Sequence, residues 1–567
     1  MKKIVIYQIF TRLFGNRNIT NKHNGTIEEN GCGKMNDFTP ETLYSIKNMG
    51  VTHIWFTGII EHAQQTDYSK FGIIKDFPDI VKGKAGSPYA IKDYYDIDPD
   101  LAENVPNRMN EFEALIERTH NAELKVIIDF VPNHLARQYK SDVAPSGTID
   151  FGTNDNTDQP FHPNNNFYYI PETQFVSPAK SDNNENWTEI PAKATGNNCF
   201  SANPSINDWY ETIKLNYGVD FENPAINNFN PEPDTWLKMR DILLFWAAKG
   251  IDGFRCDMAE MVPIEFWNWI IKQVREKYPD ICFIAEIYDT KLYQDFIFKG
   301  GFDFLYDKMF FYDTMRNILE RKSPASEITK IWRSTDEIHD KLLYFLENHD
   351  EQRIASDFFL GDATKALPGM VLAATMFTNP LMIYFGQELG EKGMNNEGFS
   401  GLDGKTTIFD YWGLKSIDKW RNNGKYDDQA LDPETSKLKK CYTRLLNLIN
   451  QKEALYEGNF YDFMWANIEN PHFDSDKLFA FLRYTENQVL LIIANFSDED
   501  LSYKLILPLD AMRCAGLNTK HFFYGDDLLG CCKPLHFPGT IATNGGFGGK
   551  IKKRNASIFE LKSKFLQ

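Results

Sequence analysis

The chain has 567 residues, 42% of them hydrophobic and 14% aromatic, and carries a net charge of −18. That content supplies a large core and excludes wholesale disorder. The acidic balance speaks against nucleic acid or an anionic membrane surface as partner, since both demand a basic footprint, and it is compatible with a neutral ligand. The eight cysteines are few for the length, scattered, and without a CxxC pair, so neither a disulfide framework nor a zinc site is expected.

The opening MKKIVIYQIF imitates a secretory leader, but its apolar stretch is short and Thr11-Arg12 stands where small residues should precede a cleavage site. Residues 4–10 therefore read as a first strand, and the chain as cytoplasmic with reduced thiols. No apolar run approaches the roughly 18 residues of a spanning helix. Up to about residue 450, short β-rich apolar runs alternate with amphipathic stretches. Strands are expected at 4–10, 52–58, 126–131, 253–257, 283–288, 302–306, 342–347 and 382–385, with helices at 40–49, 110–121, 235–249, 264–278 and 368–378. Such alternation indicates a parallel sheet with helical crossovers, and eight units suggest an α/β fold of the (β/α)8 TIM-barrel type. Rossmann-type winding is set aside because no GxGxxG follows a strand.

Residues 135–234, rich in Asn, Asp, Pro, Gly and aromatics, break this rhythm directly after the third strand. A connection that long reads as a domain inserted at the C-terminal face of the barrel, where barrel enzymes place their chemistry. After residue 455 the pattern changes again. KLFAFLRYTE, QVLLIIANFS, YKLILPL and ASIFELK read as antiparallel strands, with TNGGFGGKI supplying turns. The expected organisation is a barrel over 1–134 and 235–454, an inserted domain over 135–234, and a C-terminal β-sandwich over 455–567.

Charged groups at the ends of buried strands need a reason, because an unpaired buried carboxylate is costly. Four strands end in them. VIIDFVPNH contributes Asp129, Asn133 and His134; GIDGFRCD contributes Arg255 and Asp257; FIAEIYD contributes Glu286; FLENHDEQR contributes His349, Asp350 and Arg353. Converging on one rim, they point to catalysis. Two carboxylates about 5–5.5 Å apart carry out retaining glycoside hydrolysis, one as nucleophile and one as acid/base. Arg255, two residues before Asp257, points the same way along a strand and is placed to keep a nucleophile ionised. Glu286, in the apolar run FIAEI, suits a protonated acid. His349 with Asp350, and neutral His134, can grip sugar hydroxyls. No metal or organic cofactor is required for this chemistry. Trp187 and Trp209 are candidate sugar platforms. Cys256 should face away from Asp257 into packing, and Glu260 reads as a solvated or salt-bridged group near the cleft.

DGFRCD, AEIYD and ENHD, together with DFVPNH, occur in the order and spacing of the four characteristic regions of the alpha-amylase family of glycoside hydrolases, family 13, which nearly the whole chain resembles. The resemblance implies Asp257 as nucleophile, Glu286 as acid/base and Asp350 as the third carboxylate that stabilises the transition state. It places Arg255, His134 and His349 beside the scissile bond. GSPYAIKDYYDIDP is similar to the family's strand-two loop, with Tyr89 as its sugar-stacking tyrosine, and YFGQELG follows strand eight. Asn133 matches a usual calcium ligand. Many members carry Lys-His shortly after the nucleophile, where the histidine carbonyl helps bind calcium; DMAEMVP stands there instead, which speaks against a structural calcium. The implied function is hydrolysis of α-glucosidic bonds in α-glucans or malto-oligosaccharides, a neutral oligosaccharide or polysaccharide substrate. A transglycosylase or isomerase of the same family shares every one of these groups. A non-catalytic carbohydrate-binding member is the alternative from another class, and retention of all three carboxylates argues against it.

Overall fold

The computed structural model describes residues 2–180 and 185–565. Eight parallel strands form one sheet: β1 (Val5–Phe10), β2 (His53–Thr57), β3 (Lys125–Phe130), β4 (Gly253–Cys256), β5 (Cys282–Ala285), β6 (Phe304–Tyr306), β7 (Leu342–Leu343) and β8 (Leu381–Tyr384). They are ordered as in the chain. β8 pairs in parallel with β1, and a parallel bridge from Tyr344 to Leu381 joins β7 to β8, so the sheet closes into a barrel without an edge.

Because strand side chains alternate, each barrel strand feeds two cores. Ile6, Trp55, Ile127, Ile284, Tyr306, Leu343 and Met382, one each from seven strands, pack inside the barrel. On the eighth, β4, Arg255 is paired in register with Asp129 of β3 and Ile284 of β5. Its guanidinium lies over the rings of Trp55 and Tyr306, 5.1 and 5.4 Å from their centroids. The opposite side chains, among them Ile54, Ile128, Phe254 and Cys256, pack outward with Trp246 and Trp267 of the surrounding helices. Those helices start where local chemistry dictates. The helix Pro40–Asn48 has Pro at its first position after Thr39, whose hydroxyl accepts the Thr42 amide. Pro433–Leu448 follows Asp432 in the same way.

Six of the eight strands stop sooner than expected, β5 and β7 by three and four residues. β4, β5 and β7 end at Cys256, Ala285 and Leu343, because their last residues turn away from the ladder to bring charged side chains to the rim. A strand absent from the sequence reading, Ile91–Ile97, pairs antiparallel with Ile60–His62 above β2, with shifts in register at Glu61. In the interval after β3, His134–Ala136 pairs with Thr212–Lys214 and Tyr169–Ile170 with Ala192–Lys193.

The C-terminal part is all-β apart from short helices, with a six-stranded antiparallel sheet centred on Leu478–Tyr484, Val489–Asn495 and Asn555–Phe565. Here TNGGFGGKI is not a set of turns. It ends the short helix Gly539–Asn544 and then forms the strand Phe547–Ile551, paired with Leu501–Leu505. A Cβ on Gly549 would stand 2.2 Å from the Tyr503 hydroxyl, so the glycine makes room for a ring folded across the strand.

Candidate active site

The carboxylates at the ends of β3, β4 and β5 meet on one guanidinium. Arg255 places Nη1 2.7 Å from Asp257 Oδ1 and 3.3 Å from Asp129 Oδ1, and Nη2 2.7 Å from Glu286 Oε2. All four side chains are buried. Trp55 Nε1 donates to Asp129 Oδ2 at 2.9 Å, and Arg255 Nε donates to the Tyr306 hydroxyl at 3.3 Å. Burial pushes the Asp257 carboxyl up and Arg255 pulls it back, while Glu286 and Asp129 add to the rise. Burial likewise raises Asp129, to about 6, against the pull of Arg255. Three carboxylates around one cation favour retention of a proton within the cluster.

Glu286 is held on both oxygens. The Tyr288 hydroxyl donates to Oε1 at 2.8 Å and the Met258 amide to Oε2 at 2.8 Å. Met258 takes the left-handed conformation, φ 42°, which a side chain of this kind rarely adopts. That turn aims the amide following Asp257 at Glu286, so a strained residue couples the ends of β4 and β5. Glu260 fixes the loop after β5 by accepting the amides of Tyr288 and Asp289 at 2.9 and 2.8 Å. It is a loop clamp rather than a solvated charge.

Across the cleft, Gln8 Nε2 donates to His349 Nδ1 at 2.8 Å, which leaves the proton on Nε2. That nitrogen lies 2.6 Å from the Tyr89 hydroxyl and 3.1 Å from Asp350 Oδ2. Burial, helped by Arg255, holds His349 down to about 3. His134 is held at about 3 by burial and by Lys214 and Lys82. Both imidazoles are therefore neutral donors or acceptors near neutral pH. The Asp350 side chain is 40% exposed and stands at the mouth.

Tyr89, His134, Asp257, Glu286, His349 and Asp350 thus line one cavity of about 330 Å3, together with Trp209, Tyr288 and Met258. The Trp209 ring lies 5.2 Å from that of His134, as a platform in the cleft would. Trp187 instead packs 5.5 Å from Phe77 and donates to Glu189. Arg353 is bound to Glu347 at 2.9 Å and to the Phe385 carbonyl, behind the rim. Cys256 is buried among the outer packing, and burial raises its thiol. Tyr288, Tyr306, Trp55 and Gln8 were not singled out from the sequence. Only Tyr288, two residues after Glu286 and so on the same side of an extended segment, left a signal that could have been used.

Asn133, the candidate calcium ligand, does not face a place for a divalent ion. Its Oδ1 accepts from the Lys214 ammonium, which also donates to the Met261 carbonyl at 3.2 Å, while its Nδ2 donates to Gly196 O at 2.8 Å. Met261 lies four residues past Asp257, within the stretch that replaces the Lys-His. No carboxylate among the described residues pairs with Lys214. A calcium ion takes six to eight oxygens; here a side-chain cation already bridges the amide and carbonyl oxygens. These residues do not fit calcium.

Comparison with known proteins agrees with this geometry. The profile of the alpha amylase catalytic domain matches residues 8–444. Alpha-amylase 3 of Dictyoglomus thermophilum is 23% identical over 519 residues, covering 88% of this chain and 85% of its own. An alpha-1,4-glucan:maltose-1-phosphate maltosyltransferase of Cereibacter sphaeroides is 35% identical over 85 residues, 15% of this chain and 14% of its own. The crystal structure of an alpha-amylase from Geobacillus thermoleovorans, complexed with acarbose, superposes with a TM-score of 0.62 at 18% identity, covering 99% of this chain and 98% of that one. With its closed parallel barrel and its rim of carboxylates on one arginine, the chain belongs to the alpha-amylase family, glycoside hydrolase family 13.

Proposed function

We propose that this enzyme hydrolyses α-glucosidic bonds in α-glucans or malto-oligosaccharides with retention of configuration. The observation that carries the reading is Arg255 ion-paired at once with Asp257 and Glu286, one on each terminal nitrogen. This supports the close carboxylate spacing of a double displacement. Asp257 attacks the anomeric carbon with its free oxygen. Glu286 gives its proton to the leaving glycosidic oxygen. A β-linked glucosyl ester on Asp257 results. Glu286, now ionised, takes a proton from water as that water attacks the ester, and an α-product leaves. Asp350 and the neutral pair His134 and His349 grip sugar hydroxyls and favour the flattened, positively charged ring of the transition state. Tyr89 and Trp209 offer ring faces to the sugar.

The same glucosyl ester can be released by a sugar hydroxyl in place of water, and the similarity to a maltosyltransferase keeps transfer as the second reading. One experiment tests both. Incubation with starch, pullulan, maltotriose, isomaltose, trehalose and sucrose is followed by chromatography and early proton NMR. Hydrolysis with initial α-anomer supports the proposal. Initial β-anomer overturns the roles of Asp257 and Glu286. Products longer than the substrate favour transfer.

A further inference from the structure

The strand Ile91–Ile97 and its partner Ile60–His62 bring a second set of acids together. Glu61 is opposite Asp93 in register, and shifts in register flank Glu61 on both sides. Three residues apart on a regular strand, Asp93 and Asp96 would point to opposite faces; an irregular ladder re-aims side chains. One carboxylate oxygen from each of Glu61, Asp93 and Asp96 lies within 4.8 Å of the others. The three residues are 1%, 0% and 2% exposed.

The charge around them does not close. Arg108 binds Asp96 through Nε, at 2.9 and 2.8 Å, and through Nη2. Asp93 accepts only neutral donors, the Ser141 hydroxyl and the amides of Tyr95 and Asp142. The neighbouring donors are otherwise engaged: Lys92 Nζ is 3.0 Å from Asp76 and His62 Nδ1 is 2.8 Å from Asp98. Among the described residues, Glu61 has neither a hydrogen bond nor an ion pair on either oxygen, although it points into the cluster. Three carboxylates against one guanidinium leave a deficit of two positive charges.

We propose that Glu61, Asp93 and Asp96 bind one divalent cation of the calcium type, which ties the loop after β2 to the strand leading back from Tyr89. The chemistry selects the ion. All three donors are hard carboxylate oxygens, no nitrogen or sulfur ligand among the described residues joins them, and calcium accepts irregular oxygen sets that magnesium does not. The site is separate from Asn133, whose oxygen accepts from Lys214.

The alternative is a shared proton, and the two separate cleanly. The full chain is stripped with EDTA and titrated with CaCl2 or MgCl2 at neutral pH, by calorimetry and by thermal melting. Calcium is expected to bind at one site per chain and to raise Tm by about 3 °C or more at saturation. Glu61→Gln, which mimics the protonated acid in shape, is expected to weaken calcium binding at least tenfold, and Asp93→Asn to do the same should Glu61→Gln not fold. Absence of calcium binding by the stripped enzyme, with Glu61→Gln as stable as the wild type or more so, overturns the proposal in favour of a proton. Equal binding by wild type and variant overturns it in favour of a site elsewhere.

Discussion

Two places in this molecule bury three carboxylates beside one arginine, and they are built differently. At the barrel rim, Arg255 touches Asp129, Asp257 and Glu286 together, and the last two line an open cavity. Beside β2, Arg108 touches Asp96 alone, and Glu61 stays unpartnered in the interior. The first arrangement shares one positive charge among groups that must exchange protons and bonds with a substrate. The second leaves charge uncompensated where no substrate reaches. Similar composition therefore serves reactivity in one place and fixed charge in the other, according to how the arginine is shared and whether the cluster opens to solvent.

The largest expected effects test that contrast on turnover. Asp257→Asn and Glu286→Gln should each lower kcat by about 10^4-fold or more with the fold intact by circular dichroism, because each removes a covalent or proton-transfer step. Asp93→Asn should leave kcat within about threefold when calcium is supplied in excess. Equal losses in the two clusters would erase the distinction.

Removing the arginines comes next. Arg255→Met and Arg108→Met should each destabilise by about 3–5 kcal/mol in denaturant melts, since each strands buried carboxylate charge. Only Arg255→Met should also lower turnover, by about 10^3-fold or more. Arg255 pulls the Asp257 carboxyl down against burial, so its loss raises that group further. Residual activity, which needs ionised Asp257, should therefore shift its acidic limb to higher pH.

The cation that bridges Asn133 and Met261 sharpens the comparison from a third side. Lys214→Met leaves the Asn133 and Met261 oxygens without their shared donor and should cost about 1–3 kcal/mol. Added CaCl2 should not restore the loss, whereas calcium is expected to stabilise through Glu61. Tyr288→Phe removes one donor from Glu286 and should reduce kcat about 5–10-fold, with KM little changed.

The last effect concerns pH and stability. Burial holds His134 at about 3, below its ordinary value of 6.5. The unfolded chain takes up that proton first as pH falls. The stability owed to the neutral ring is thus complete above about pH 6.5 and is lost progressively toward pH 3. His134→Asn should flatten this decline by at most about 1.4 kcal/mol per pH unit, read from Tm against pH.

Much of the rim was legible from the sequence because strand ends announce themselves locally. VIIDF, GFRCD and FIAEI each join an apolar run to a charged residue at its end, and alternation puts Arg255 and Asp257 on one side. Eight such runs with helices between them predict a barrel, since parallel strands need crossovers. Trp209 and Trp187 could not be told apart in this way. Both occur in the same Asn-rich interval, and which one meets His134 depends on how that interval packs. TNGGFGGKI carries every local mark of a turn; only the ring of Tyr503, brought alongside by strand pairing, makes its glycines part of a strand.

By itself, then, the sequence determined the eight barrel strands, their order, and the acids and bases that end them, because these depend on periodicity and on neighbours a few residues away. Tertiary structure alone decided which charges meet. Lys214 reaches Asn133 across an antiparallel strand pair, Tyr89 reaches His349 across the barrel, and Glu61 faces Asp93 through an irregular ladder. Each of these contacts joins residues far apart in the chain. Their energy depends on desolvation and on distances of a few ångströms, and packing sets both.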